Sequence, residues 1–262
     1  MPPAPRIRDE ITFRTLPVEE NLFAELSASA HFEDLGKGRR GAALTWVDES
    51  GGVPLVRTTT RYDTPTQPFR SVHERLAERV RACAGIPVGF NNALIETYTD
   101  AYRKMGSHSD QALDLSDGSS IALFSCYRSP EASPPRKLVF ESKAKEHGGE
   151  TYEIALTHHS VVAFSVASNR RFRHRIVLDA PPAPRTDDNP WLGVTFRTSK
   201  TILRFRDGDP YLPQGDRLTS ADDEQRREFY TLRRRENEET AFTYPALTYT
   251  VSESDLRPPA PL

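Results

Sequence analysis

The sequence predicts an α+β fold that is mainly β, an antiparallel double-sheet roll or barrel with its helices confined to the N-terminal part. Three observations predict it. Short runs rich in β-branched and aromatic residues recur at intervals of about ten residues between 90 and 205. Clusters of Gly, Pro, Asn and Ser punctuate them. Clear helical periodicity is confined to two N-terminal segments. A chain of 262 residues is long enough to bury a sizeable core.

Taken in order, residues 1–10 are Pro-rich and charged, a loose arm, and 11–14 form a first strand. Pro17 starts a helix whose Leu22, Phe23 and Leu26 share one face. Residues 42–46 read as a strand, 49–52 as a turn, and 53–65 as an extended segment or lid. The second helix covers 69–84, with Val72, Leu76, Val80 and Cys83 on the buried side and His73 expected at the surface. Strands follow at 90–98, 119–127, 137–141, 152–156, 160–165, 170–177, 191–197 and 201–205. The run Ile121-Ala122-Leu123-Phe124 lacks alternation, as expected of a strand covered on both faces, and Cys126 reads as a small core residue. The His158-His159 pair falls in a turn, where adjacent side chains diverge, and reads as surface. Residues 221–239 are almost all charged and predict a solvated helix or partly disordered tail; 252–262 are expected to be disordered. The organisation expected is an N-terminal strand and helix support (1–52), a core (53–206) and a charged extension (207–262).

One stretch carries chemistry: Met105-Gly106-Ser107-His108-Ser109-Asp110. A His and an Asp two apart on extended chain project from the same face, so an imidazole nitrogen and a carboxylate oxygen can reach one ion. Such a pair also arises by chance and needs a third ligand. His174, within Arg170-Arg171-Phe172-Arg173-His174-Arg175, is the best candidate, because an antiparallel roll pairs distant strands. Two His and one carboxylate with open opposite positions make the facial triad of non-haem Fe(II) oxygenases. The arginines around His174 suit a carboxylate-bearing substrate, a phosphate backbone or a solvated edge.

Composition restricts the remaining classes. A net charge of −2 predicts no general attraction to phosphate backbones. Two cysteines give no disulfide framework. Met1-Pro2-Pro3-Ala4-Pro5 has no apolar signal core, and no apolar run approaches the roughly 20 residues that span a bilayer. These features lead to the expectation of a cytoplasmic protein with no membrane association and no obligate protein partner.

Four ordered segments, spread over about residues 54–197, resemble the AlkB-like branch of the Fe(II)- and 2-oxoglutarate-dependent dioxygenases. Pro54-Leu55-Val56-Arg57-Thr58-Thr59-Thr60-Arg61-Tyr62 is similar to its Pro-Arg-x-Thr-x-x-Tyr substrate lid. Phe90-Asn91 through Tyr98 resembles its strand ending in Asn-x-Tyr, residues 105–110 its Met-Gly-Trp-His-Ser-Asp, and Thr195-Phe196-Arg197 its terminal Thr-Phe-Arg. The resemblance implies a double-stranded β-helix (jelly-roll) core with the N-terminal helices packed on one sheet. It implies Fe(II) held by His108, Asp110 and His174, and 2-oxoglutarate held by Tyr98 and Arg197. Arg57, Thr59, Tyr62 and Tyr102 would face substrate. The reaction implied couples oxidative decarboxylation of 2-oxoglutarate, with O2, to C–H hydroxylation or oxidative N-dealkylation.

The chain departs from that pattern at Trp191, where a further Arg is usual, at Glu96, where Asn precedes the Tyr, and at Gly193, another Asn position. Ser199, Lys200 or Arg185 could complete a different carboxylate clamp. The acidic base-reading residue of repair members is absent from Gln111-Ala112-Leu113-Asp114, so a small-molecule or atypical substrate is favoured over a methylated nucleobase. The competing classes are a cupin-type metal enzyme that does not use 2-oxoglutarate and a non-catalytic jelly-roll binding module.

Overall fold

The computed structural model describes residues 6–131, 134–144, 149–179 and 189–260. The 1–5 part of the N-terminal arm, parts of the loops at 129–135 and 143–150, Arg185 and residues 261–262 lie outside them. The strands are β1 (Ile11–Thr15), β2 (Glu33–Asp34), β3 (Arg39–Thr45), β4 (Val53–Leu55), β5 (Gln67–Pro68), β6 (Asn92–Tyr98), β7 (Ser120–Tyr127) and β8 (Arg136–Ser142). They continue with β9 (Thr151–Leu156), β10 (Ser160–Ser165), β11 (Phe172–Val177), β12 (Trp191–Arg197), β13 (Thr201–Arg206), β14 (Asp209–Tyr211), β15 (Thr219–Ser220) and β16 (Tyr249–Thr250). The helices are α1 (Phe23–Ala28), α2 (Ser71–Ala84), α3 (Val166–Arg171) and α4 (Asp223–Glu238).

Two antiparallel layers form the core. The large sheet runs β1-β10-β7-β12-β6-β3-β2, with β5 added parallel to β3; the smaller runs β11-β8-β9. Because strand side chains alternate, β7 feeds two cores. Ile121 and Leu123 meet Leu138, Phe140, Ile154, Phe172 and Ile176 of the small sheet, while Ala122, Phe124 and Cys126 meet the helices on the other side. This double coverage is why β7 reads as a continuous apolar run. The large sheet, the small sheet and helices α1 and α2 on one face give the jelly-roll arrangement expected, while α3 and α4 lie beyond the N-terminal part, against expectation.

Helix α2 presents Val72, Leu76 and Val80 to the large sheet and α1, and stops at Gly85, whose φ of +66° closes the helix in the left-handed conformation. Each such apolar side chain contributes about 1.5–3 kcal/mol by leaving water. His73 departs from its expected surface position: it is fully buried. Its Nδ1 accepts the Arg70 N–H (3.0 Å) at the helix start and its Nε2 meets Ser29 Oγ (2.7 Å), so both ring nitrogens are satisfied inside.

The C-terminal residues also differ from expectation. Helix α4 buries Phe229, Leu232, Arg233 and Glu236, and packs with Phe242, Leu247, Tyr249 and Val251. Residues 252–260 pack on the core, with Ser252 and Ser254 buried, a single helical turn at Glu253–Leu256, and the Ala260 N–H reaching Thr66 O (2.9 Å). The charged composition misleads because a stripe of one ion pair and two apolar residues suffices to bury one helix face. Among the described residues, no helix is long and apolar enough to cross a membrane.

Candidate metal centre and its cavity

The extended segment before Asp110 lies against β11. His108 N–H donates to His174 O (2.9 Å) and His174 N–H to His108 O (2.6 Å). Directly opposed residues of an antiparallel pair place their side chains on one face. The two imidazole centroids are accordingly 4.7 Å apart. Asp110, two residues on, brings its Oδ1 to 3.8 Å from His108 Nε2 and 3.5 Å from His174 Nε2. One ligand atom from each of the three lies within 4.8 Å of the others, and this is the one His, Cys and carboxylate group among the described residues so disposed.

Their surroundings prepare these atoms to bind a cation. His108 Nδ1 lies 2.9 Å from Gly106 O, which fixes the proton on Nδ1 and leaves the Nε2 lone pair towards Asp110. Burial, with His174 alongside, pushes the His108 imidazole below its ordinary pKa, towards the neutral form that ligates. Burial opposes charge on Asp110, but the Arg197 guanidinium and His174 outweigh it and hold the carboxyl well below the usual range. Arg197 Nε donates to Asp110 Oδ2 at 2.6 Å, leaving Oδ1 to the imidazoles. His174 packs edgewise against Phe164 and tilts on Phe140.

The supporting contacts come from two elements. Asn169 in α3 brackets the Asp110 backbone, accepting its N–H at 2.9 Å and donating to its O at 2.7 Å. From α4, Asn237 Oδ1 accepts the Ser109 N–H (2.8 Å), Arg233 Nη2 donates to Ser109 O (2.8 Å), and Glu236 Oε1 accepts the Ala112 N–H (2.8 Å). Sequence reasoning missed Asn169, Arg233, Glu236 and Asn237. The one local signal was polar spacing of Arg233 and Glu236 on a helix that otherwise reads as solvated.

A cavity of about 90 Å3 opens beside the three residues. A water needs about 10–15 Å3 on the same measure, so a small organic molecule fits. Arg39, Tyr98 and Trp191 lie opposite one another in register on β3, β6 and β12; Arg39 and Trp191 border the cavity, whereas Tyr98 does not. The Trp191 indole is folded over Gly193, where any Cβ would collide with it. Tyr98 is fully buried between Trp191 (4.8 Å) and Tyr102 (4.6 Å), and its hydroxyl donates to Glu96 Oε2 at 2.7 Å. Arg39 Nε donates to Glu96 Oε1 at 2.8 Å. Glu96 therefore brings its own counter-charge, and the Tyr98 hydroxyl expected at 2-oxoglutarate is engaged by Glu96.

The other expected site residues separate. Thr59 is exposed on the cavity wall. Arg57 also borders the cavity, but its guanidinium is committed: Nε and Nη2 donate to Asp114 (3.0 and 2.8 Å), and Nη1 to Leu247 O and Tyr249 O (both 2.9 Å). Tyr62 is buried on a second cavity with Ser252 and Asp255, and Tyr102 stacks on Tyr98, so neither lines the cavity of the three ligands. Lys200 pairs with Asp117, and Ser199 Oγ donates to Leu55 O, so neither acts as a clamp here. His158 Nδ1 accepts the Tyr127 N–H (3.1 Å), and His159 stacks on Phe124, away from the centre.

Three carboxylates face the four arginines around His174. Arg170 faces Asp117, Arg171 faces Glu10, and Arg173 and Arg175 both face Glu141. Arg170 and Arg171 belong to α3, capped by Ser165 Oγ on the Ser168 N–H, and not to the strand expected at 170–177. Arg170 thus does not share the ligand's side of the sheet.

The donor set suits Fe(II), which accepts imidazole nitrogen and carboxylate oxygen. The cavity also suits an acid: Arg197 Nη1 and Trp191 Nε1 both border it, buried and without a hydrogen-bond partner among the described residues.

Comparison with known proteins agrees with this chemistry. The family model described as the 2OG-Fe(II) oxygenase superfamily matches residues 27–197. A solved structure described as "The structure of OsALKBH1" aligns at 14% identity over 72% of this chain and 96% of that one, with a TM-score of 0.46. No curated protein matches the chain. The family match spans well over half the sequence and encloses all three residues of the candidate centre, and the chain belongs to the 2OG-Fe(II) oxygenase superfamily.

Proposed function

We propose that this dioxygenase is of the AlkB-like type, that His108, Asp110 and His174 hold its Fe(II), and that it oxidises a small molecule by C–H hydroxylation or oxidative N-dealkylation. The observation that carries the reading is the convergence of those three side chains within 4.8 Å in one cavity, with Arg197 on Asp110. Members of the family use Fe(II) and 2-oxoglutarate. Together with O2 these supply the oxidising chemistry, converting the keto acid to succinate and CO2 while an oxygen atom enters a substrate C–H bond.

The chain's own residues orient and protect that chemistry. Gly106 O sets the His108 tautomer, and Arg197 fixes the rotation of the Asp110 carboxylate. Arg197 keeps Nη1 free, and a guanidinium fork suits one carboxylate of the co-substrate. Trp191 Nε1 adds a donor where an arginine is usual in the branch. Phe140 and Phe164 shield His174 from water. Thr58, Thr59 and Thr60 add hydroxyl groups to the cavity lining.

The small-molecule preference rests on charge. Three carboxylates face the four arginines flanking His174 and leave a surplus of one positive charge, little to hold a phosphate backbone. The test is anaerobic titration with Fe(II) and then 2-oxoglutarate, followed through the visible charge-transfer band of the chelated keto acid. The band is expected in the wild type and absent in Arg197→Ala. Iron binding without a band in the wild type overturns the co-substrate assignment. Succinate release driven by methylated oligonucleotides and not by small amines overturns the substrate preference.

A further inference from the structure

The residue after Asp110 has a side chain with nothing to bond. Gln111 is 5% exposed, it borders the cavity, and both Nε2 and Oε1 lack a hydrogen-bond partner among the described residues. Because both ends are unpartnered, exchanging the assigned N and O changes nothing. A buried carboxamide with neither end satisfied is costly and uncommon in a packed protein, so a ligand that satisfies it is the physical expectation. The other unpartnered polar atoms on this cavity, Nη1 of Arg197, Nε1 of Trp191 and Nε of Arg233, are all donors. Gln111 alone among them offers a donor and an acceptor side by side.

Its backbone is held on both sides. Asn169 brackets Asp110, and Glu236 takes the Ala112 N–H. Such anchoring aims a side chain and keeps it there. The cavity wall is also balanced in charge. Arg39 faces Glu96, Arg57 faces Asp114, Arg197 faces Asp110 and Arg233 faces Glu236. Beyond the Arg197 Nη1 assigned to the co-substrate, each charged side chain of the wall has an opposite partner, so the wall favours a neutral substrate.

We propose that Gln111 is the specificity-determining residue, and that it reads a neutral substrate through an adjacent C=O and N–H, the edge of a secondary amide, lactam or ureide. Gln111 Nε2 donates to the substrate carbonyl and Oε1 accepts the substrate N–H, two parallel hydrogen bonds beside the metal ligands. The inference rests on the dioxygenase reading and names its substrate class. A nucleobase can present the same edge, so the test separates a free small molecule from a base in an oligonucleotide.

The full chain is loaded with Mn(II) and 2-oxoglutarate, and paramagnetic relaxation of ligand protons is measured for 2-pyrrolidinone and for N-methyl-2-pyrrolidinone, which lacks the N–H. The expected result is binding of 2-pyrrolidinone about tenfold tighter than its N-methyl analogue, as the one hydrogen bond by which they differ warrants, with the preference lost in Gln111→Leu. Gln111→Leu is also expected to melt at or above the wild-type temperature, because it removes unpaired buried polar atoms. Equal binding of the two lactams, a preference retained in Gln111→Leu, or a clear drop in its melting temperature overturns the proposal. An oligonucleotide with N-methylated bases that displaces 2-pyrrolidinone only when Gln111 is present overturns the small-molecule source. Absence of Mn(II) binding, or relaxation unchanged in His174→Ala, is a failure of the dioxygenase reading itself and is seen before any lactam is compared.

Discussion

His108 and His174 exchange both backbone hydrogen bonds, so their shared face is set by β-sheet register and not by side-chain chance. A one-residue slip of β11 would turn His174 away from the cavity. His108→Ala and His174→Ala are expected to abolish metal binding in calorimetric titration, whereas His158→Ala and His159→Ala are expected to retain it. Loss of metal in either of the latter would show that the wrong histidines were chosen. Arg57 invites a different experiment. It is paired bidentately with Asp114 inside the protein, so Arg57→Ala leaves a buried carboxylate without its counter-charge and is expected to cost about 3 kcal/mol in urea unfolding. An unchanged unfolding midpoint with a raised substrate KM would return Arg57 to a substrate role. At this scale the His-x-Asp pair was legible because its spacing matches the strand period. The Asn169 and Arg233 contacts were not, since a hydrogen bond across 59 or 124 positions leaves no local trace.

Helices α1 and α2 are joined through His73, the position most at odds with its sequence appearance. The imidazole is buried, and its pKa is pushed down to about 4 from an ordinary 6.5, first by burial and then by Arg70. A folded-state pKa below the unfolded one means the unfolded chain takes up the proton first. The contribution is therefore complete above about pH 6.5 and is lost as pH falls towards 4, amounting to about 3 kcal/mol. His73→Gln is expected to flatten that part of the stability profile between pH 6.5 and 4 while lowering stability at pH 7. A profile parallel to the wild type would remove His73 from the account. The same element-scale lesson holds for α4. Phe229 and Leu232 were visible in the sequence, but charge density suggested solvation. An Arg233–Glu236 pair buried against the Ser109 strand reverses that inference, because paired and hydrogen-bonded charges can be covered. Strands were easier to read, for alternation and apolar runs report burial directly, as in β7.

At the scale of the molecule, the two-sheet core was legible from strand spacing, while the reach of the C-terminal residues was not. Residues 207–260 do more than follow β13. Arg57 is tied to Leu247 and Tyr249, Tyr62 N–H to Ser252 Oγ (3.1 Å), and Ser109 to Arg233 and Asn237. Residues 57–62 and the extended segment that carries His108 and Asp110 are both pinned to residues far downstream. A chain ending at 206 is expected to lose metal affinity by about ten- to a hundredfold, as loss of supporting hydrogen bonds does elsewhere, and to unfold at lower urea. Wild-type affinity and midpoint in the shortened chain would make those contacts incidental.

The placement of the two tryptophans gives the molecule an optical property. Trp191, 1% exposed and lying against Tyr98, borders the cavity of the three ligands, while Trp46 is 52% exposed. Indole emission should divide into a blue, iodide-resistant component from within and a red, iodide-quenched one from outside. An open-shell ion at the centre drains the first and spares the second. The chain thus carries an unlabelled gauge of its own occupancy and an internal reference against which to read it.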